Sequence, residues 1–180
     1  MISNSDTQAG DLPKSGPKSG PDSEPNSEPN SGYFDGPTHI LPVRVYYEDT
    51  DSAGIVYYAN YLRFMERGRS DMFRLLDLHP VSLEIAGGNR SQETLFVVRR
   101  CEVEYLRPAR LNEALHVRTS LDKVGGASVV MKQTVTRDGA TLVEAIVRIA
   151  SVRADGHPTR MPAKTRDVFR SLMLDNENIG

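Results

Sequence analysis

Glu48-Asp49-Thr50-Asp51-Ser52-Ala53-Gly54-Ile55-Val56-Tyr57-Tyr58-Ala59-Asn60 decides how this chain is read. Acids crowd its first positions, a small Ser-Ala-Gly turn follows, and an apolar rise leads into the start of a helix. Upstream, Leu41, Val43 and Val45 alternate with Pro42, Arg44 and Tyr46, the period of a half-buried strand. Downstream, Tyr61, Phe64, Met65, Gly68, Met72, Leu75 and Leu76 recur on one helical face. Arg63, Glu66, Arg67, Arg69, Ser70, Asp71 and Arg74 fall mostly opposite. Asn60 is expected to cap that helix, its side-chain oxygen accepting from the first exposed N–H groups. The helix is expected to end near Leu78, because Pro80 disfavours helical geometry at His79. Gly68 costs a helix interior about 1 kcal/mol relative to alanine. A strand passing close to the bare backbone is the expected compensation.

Beyond a polar connection at 84–92, the pattern becomes one of strands. Leu95, Val97, Cys101, Val103 and Tyr105 share one parity, which puts Cys101 in the core, and Pro108 stops the run. Leu115, Val117 and Leu121 alternate with His116, Arg118, Ser120 and Asp122. Gly125-Gly126 turns the chain into Val129, Met131, Gln133 and Val135, and Asp138-Gly139 is a strong hairpin signal. Residues 142–153 are apolar on nearly both faces, which predicts an inner strand, and a short helix is expected over 163–173, opened by Pro162. The layout is α+β: an antiparallel sheet of about five strands wrapped around one long central helix.

Composition bounds the rest. The chain has 180 residues, 38% of them hydrophobic, enough for one ordinary domain. Residues 1–36 repeat Pro, Gly, Ser and Asn with almost no aliphatic side chains, so they read as a disordered extension. The domain is expected over 37–173, with a flexible terminus at 174–180. The net charge of −2 divides into −4 for the extension and +2 for the remainder. That balance argues against a nucleic-acid partner and suits an anionic ligand. No apolar window reaches the ~20 residues of a membrane span and no leader pattern opens the chain. One cysteine, Cys101, allows no disulfide framework within the chain, so a reducing, cytoplasmic location is expected.

Spacing alone leaves three readings of the acidic loop open. Asp49-Thr-Asp51 can be a divalent-metal pair, a turn whose aspartates bond nearby N–H groups, or a catalytic carboxylate. Under the third, an aspartate ionised at neutral pH stands before a helix start whose N–H groups are unpaired. The carboxylate attacks an acyl carbon or activates water, and the N–H groups hold the oxyanion. His39, His79, His116 and His157 stand isolated and read as surface residues, and no G-x-S-x-G occurs.

Tyr47-x-Asp49-Thr50-Asp51-x-x-Gly54-x-Val56-Tyr57-x-x-x-Tyr61 resembles the signature of hotdog-fold acyl-CoA thioesterases of the 4-hydroxybenzoyl-CoA thioesterase family, most of all the Tol-Pal-associated branch. Phe64-Met-Glu-Arg-Gly-Arg69, the stretch from Val98 to Ala109 and Met161-Pro-Ala-Lys164 are similar to the same branch. The resemblance implies the hotdog fold and makes Asp51 the catalytic carboxylate, as nucleophile or general base. It puts the backbone oxyanion donor at Tyr58, where many members of that branch carry His and the hydroxybenzoyl branch carries Tyr; aliphatic and aromatic acyl groups both stay open. It also implies a substrate site at Gly54, Val56, Ala59 and Asn60, and coenzyme A phosphate contacts near Lys123, Ser128, Arg160 and Lys164. The implied assembly is a homodimer or homotetramer with the site at the subunit interface. Acyl-CoA is the implied substrate, with acyl carrier protein a further partner, and neither cofactor nor metal. Two other hotdog readings are a non-catalytic binder of acyl-carrier or envelope partners and an enoyl-CoA dehydratase. The dehydratase normally pairs its aspartate with a histidine that this loop lacks.

Overall fold

An amphipathic helix, α1 (Tyr58–Leu75), lies across an antiparallel sheet. The computed structural model describes residues 31–78 and 94–177. The proposed extension up to residue 30, the connection at 84–92, His79, Pro80 and residues 178–180 lie outside the described residues. Among the described residues, six strands pair: β1 (Tyr33–Asp35), β2 (Thr38–Arg44), β3 (Thr94–Tyr105), β4 (Ala114–Val124), β5 (Ser128–Arg137) and β6 (Ala140–Arg153). Their spatial order is β1-β2-β4-β5-β6-β3. A second helix, α2 (Ala163–Glu177), follows. The α+β layout is as expected, with six strands where about five were anticipated.

Two boundaries move. Tyr33–Asp35 belongs to the fold, pairing with Thr38–Ile40 across a hairpin, although composition put it in the extension. The C-terminal helix runs to Glu177 rather than stopping at 173.

The core forms where α1 meets β2, β4 and β5. Tyr61, Phe64, Met65, Met72 and Phe73 are buried against Leu115, Val117, Met131, Val135 and Val147. Each such side chain contributes about 1.5–3 kcal/mol relative to exposure. Leu75, expected on this face, is exposed, and Phe73 takes its place, stacked between Phe96 and Phe169. Gly68 meets the sheet as expected: a Cβ there would stand 2.9 Å from Val117 Cγ1 and 3.3 Å from Thr119 Oγ1. Asp138 and Gly139 both have positive φ, at 49° and 79°, the geometry of the tight turn joining β5 to β6.

The parity reading of β3 fails in its first half. The register against β6 slips between Val98 and Arg100, so Arg99 is an extra residue. The bulge reverses the alternation: Phe96 shares the helix side with Cys101, Val103 and Tyr105, while Leu95 and Val97 turn to the other face. Cys101 is also exposed rather than packed in the core. Among the described residues β3 pairs on one side only; α1 meets it near its two ends, at Phe96 and Tyr105, and leaves Cys101 between them uncovered.

His39, expected at the surface, is fully buried. It lies on β2 beneath Phe34, and its Nε2 stands 2.8 Å from Asp71 Oδ2 of α1. The Gly32 N–H donates to the same oxygen, and Arg74 pairs with Oδ1 at 2.7 Å. Burial lowers the His39 pKa below its ordinary value, outweighing the opposing pull of Asp71. Burial pushes the Asp71 carboxyl up, but hydrogen bonds from Arg74, His39 and Gly32 prevail and hold it low.

Two outcomes follow from this packing. Gly68→Ala sets a helix gain of about 1 kcal/mol against an overpacking cost of about 1–3 kcal/mol. Val117 is buried and β-branched, so it cannot turn aside. Urea unfolding is expected to find the variant less stable, and Gly68→Leu less stable still; a gain in Gly68→Ala would refute the close approach. The unfolded chain protonates His39 near pH 6.5 while the folded chain resists it, so the His39 contribution is complete above that pH and lost as pH falls below it. Asp71 adds a second loss below about pH 4. Unfolding free energy measured at pH 7 and pH 5 should fall, and His39→Gln should flatten the fall; an equal slope in both proteins would contradict this account.

Candidate active site

The acidic stretch opens with a single 3-10 turn, Tyr47–Asp49. Asp49 is buried, and its Oδ2 accepts the Tyr46 N–H at 2.8 Å. This aspartate is thus a turn-former, as one of the three readings had it. Its carbonyl does more, accepting the Tyr57 N–H at 2.9 Å and the Asn60 side-chain amide at 2.9 Å. One peptide oxygen therefore ties the loop to the start of α1.

Asp51 begins a tighter turn. Its N–H donates to Ile55 O at 2.9 Å and its carbonyl accepts the Gly54 N–H at 3.0 Å. Gly54 holds φ at +71°, a conformation side chains with a Cβ rarely adopt. The exposed Asp51 carboxylate accepts the Ala53 N–H through Oδ1 at 2.8 Å. Oδ2 has no partner among the described residues. Thr50 and Val56 bridge across the base of the turn, and the Val56 N–H donates to Ala109 O at 2.9 Å.

Asn60 does not cap the helix. The helix begins at Tyr58 with Tyr57 in the capping position, and no side chain bonds the first N–H groups there. Asn60 is the third residue of the helix, buried, with its amide turned back to Asp49. Its own N–H donates to Tyr57 O at 2.8 Å. The N–H groups of Tyr58 and Ala59 donate to nothing among the described residues, as the first positions of a helix dictate. They carry the positive end of its dipole.

A cavity of about 280 Å³ opens beside this helix start. Val56, Tyr58, Tyr61, Tyr105, Leu106 and Pro108 line it. Tyr61 is fixed by its hydroxyl, which accepts the Ala109 N–H at 2.8 Å. Tyr105 reaches in from the end of β3, its ring 5.8 Å from Tyr61 and 6.3 Å from Tyr58, and its hydroxyl donates to Tyr58 O at 3.2 Å.

The structure therefore gathers Asp51, Gly54, Val56, Tyr58, Ala59 and Asn60 into one neighbourhood through backbone and side-chain bonds. Lys123, Ser128, Arg160 and Lys164 form a different one, around the β4–β5 turn and the entry to α2. The Gly125 N–H donates to Ser128 O there, and the Met161 N–H to Gly126 O. Lys164 pairs with Asp77 at 3.4 Å. Among the described residues no hydrogen bond or ion pair joins this second group to the cavity. Tyr61, Tyr105 and Leu106 all lie in the motifs quoted above, Tyr61 also on the helix face and Tyr105 also in the strand run, and none of these patterns marks them as cavity lining. The Tyr-Leu-x-Pro step at 105–108 signals a strand ending in a turn, but which element it ends beside depends on sheet order.

Comparisons with known proteins agree with this architecture. The family profile described as Thioesterase superfamily matches residues 53–144. The acyl-CoA thioester hydrolase YbgC of Escherichia coli O6:H1 is 40% identical over 135 residues, covering 74% of this chain and 92% of that protein. The acyl-CoA thioesterase YbgC of Haemophilus influenzae is 36% identical over 132 residues, covering 73% and 93%. The crystal structure of a probable thioesterase from Bartonella henselae superposes with a TM-score of 0.63 at 37% identity, covering 69% of this chain and 99% of that one. With its profile match, these relatives and a helix laid on an antiparallel sheet, this chain belongs to the thioesterase superfamily, whose members are thioester hydrolases of the hotdog fold.

Proposed function

We propose that this chain hydrolyses acyl-CoA, with Asp51 as the reacting carboxylate and the N–H groups of Tyr58 and Ala59 as oxyanion donors. One observation carries the reading. Two unpartnered N–H groups stand at a helix start that borders an apolar cavity, and the turn bearing Asp51 is bonded to that same start. The substrate is taken from the relatives, which are named acyl-CoA thioesterases.

Two chemical routes fit a lone carboxylate. As nucleophile, an Asp51 oxygen bonds to the acyl carbon and the carbon–sulfur bond breaks. Coenzyme A leaves as thiolate, and water then cleaves the anhydride. As general base, Asp51 takes a proton from water while the water oxygen attacks, and the departing thiolate takes up a proton. Both give a carboxylic acid and free coenzyme A. In either, the carbonyl oxygen gains negative charge, and preorganised N–H groups stabilise that charge without reorganising. Asp49 takes no part, because its carboxylate is committed to the turn.

The same reading puts the enzyme in the cytoplasm as a homodimer or homotetramer, acting on coenzyme A or carrier-protein thioesters. No described helix is long and apolar enough to cross a membrane. The exposed apolar residues Val97, Val98, Tyr105 and Leu106 along β3 and just beyond it suit a second copy beside the cavity. Gly54 and Val56 shape the acyl end of the site, and Lys123, Ser128, Arg160 and Lys164 are the proposed phosphate contacts. For Lys164 this requires leaving its exposed pairing with Asp77, worth about 1 kcal/mol or less.

The two aspartates separate in the test. Asp51→Asn is expected to lower kcat/KM for acyl-CoA by at least about 100-fold while changing unfolding free energy by less than about 0.5 kcal/mol. Asp49→Ala leaves the Tyr46 N–H unpaired and is expected to lose about 1–3 kcal/mol of stability. Near-normal turnover in Asp51→Asn, read in a coupled thiol-release assay, would overturn the mechanism.

A further inference from the structure

We infer that Tyr105 is a positioning residue that aims the Ala59 N–H, by clamping the carbonyl at the other end of the same peptide unit. The inference rests on the thioesterase reading above and adds a residue to it.

A trans peptide is planar, so its C=O and N–H point in opposite directions within one rigid unit. Fixing the oxygen fixes the direction of the hydrogen. The first two peptides of α1 are both held this way. The Tyr57 carbonyl, whose peptide carries the Tyr58 N–H, accepts the Asn60 N–H at 2.8 Å. The Tyr58 carbonyl, whose peptide carries the Ala59 N–H, accepts the Tyr105 hydroxyl at 3.2 Å. The first clamp is internal to the helix turn. The second comes from the sheet and adds to the helical bond that the Leu62 N–H makes to the same oxygen.

A clamp from outside matters at this position. The opening turn of a helix lacks the N–H bonds that hold later turns, and it frays and tightens readily. Tyr105 is itself well held. It is the last residue of β3 and is in register with the buried Val143 of β6. Its ring meets Tyr61 and Tyr58, which keeps the hydroxyl over the Tyr58 carbonyl. Burial raises the Tyr105 pKa above that of a free tyrosine, so at neutral pH the group is protonated and donates. Donation to a carbonyl oxygen also polarises the peptide, making its N–H the stronger donor. The sheet thus adds, through a single hydroxyl, an outside hold on the aim of one oxyanion donor, while the ring walls the cavity.

Tyr105→Phe removes the hydroxyl and keeps the ring. Deleting an oxyanion donor outright costs about 10²–10³ in kcat, so releasing its aim is expected to cost about tenfold. KM and thermal midpoint are expected to stay at parent values, since the ring contacts remain. The measurement is steady-state hydrolysis of one acyl-CoA by the full chain, Tyr105→Phe and Asp51→Asn in parallel, with thermal unfolding of each. A fall in kcat alone supports the inference. Unchanged kcat, or a change confined to KM or to the thermal midpoint, overturns it and leaves the thioesterase reading standing provided Asp51→Asn is inactive. Full activity in Asp51→Asn defeats the reading itself.

Discussion

The Asp49 carbonyl is the joint on which the site depends. By accepting both the Tyr57 N–H and the Asn60 side-chain amide, it makes the acidic loop and the first turn of α1 one rigid piece. An exposed carboxylate on an untethered loop would sample many positions. Misplacing a reacting group by about 1 Å can cost a factor of about 100 in rate. Here the tether is backbone oxygen to backbone and amide nitrogen, largely buried, where each bond is strengthened by the low local dielectric. Under the proposed mechanism the two aspartates divide the work: Asp49 fixes the turn that presents Asp51.

The same helix is fixed at its other points by the sheet. Gly68 lets β4 approach its backbone at Val117, and Tyr105 at the end of β3 touches its first turn. The buried His39–Asp71 contact joins β2 to its last turns. Contacts near the start, middle and end leave α1 little freedom to shift along the sheet, so the position of its N–H groups is a property of the whole domain. That is the physical link between core packing and chemistry in this chain.

Much of this was legible beforehand. The period-two run at Leu41–Val45 and the apolar face from Tyr61 to Met72 fixed a strand and a helix, and a lone amphipathic helix needs a sheet. Gly68 advertised close packing because nothing else offsets its cost in a helix. Features decided by register or by distant partners were not legible. The extra residue at Arg99 reverses the faces of β3, and no local pattern marked it. His39 lies next to a low-complexity stretch, and only Asp71, far along the chain, gives it a buried partner. Asn60 has the composition of a cap, yet its amide satisfies the Asp49 carbonyl instead. Cys101 looked like core because alternation shows which face a residue takes, not whether a neighbour covers that face.

The most direct test is a crystal structure of the Asp51→Asn protein with an intact acyl-CoA bound. The account predicts the thioester carbonyl oxygen within about 2.7–3.1 Å of the Tyr58 or Ala59 nitrogen, the substituted side chain at position 51 facing the carbonyl carbon, and the acyl group in the tyrosine-lined cavity. A thioester seated elsewhere, with those N–H groups facing only solvent, would contradict it.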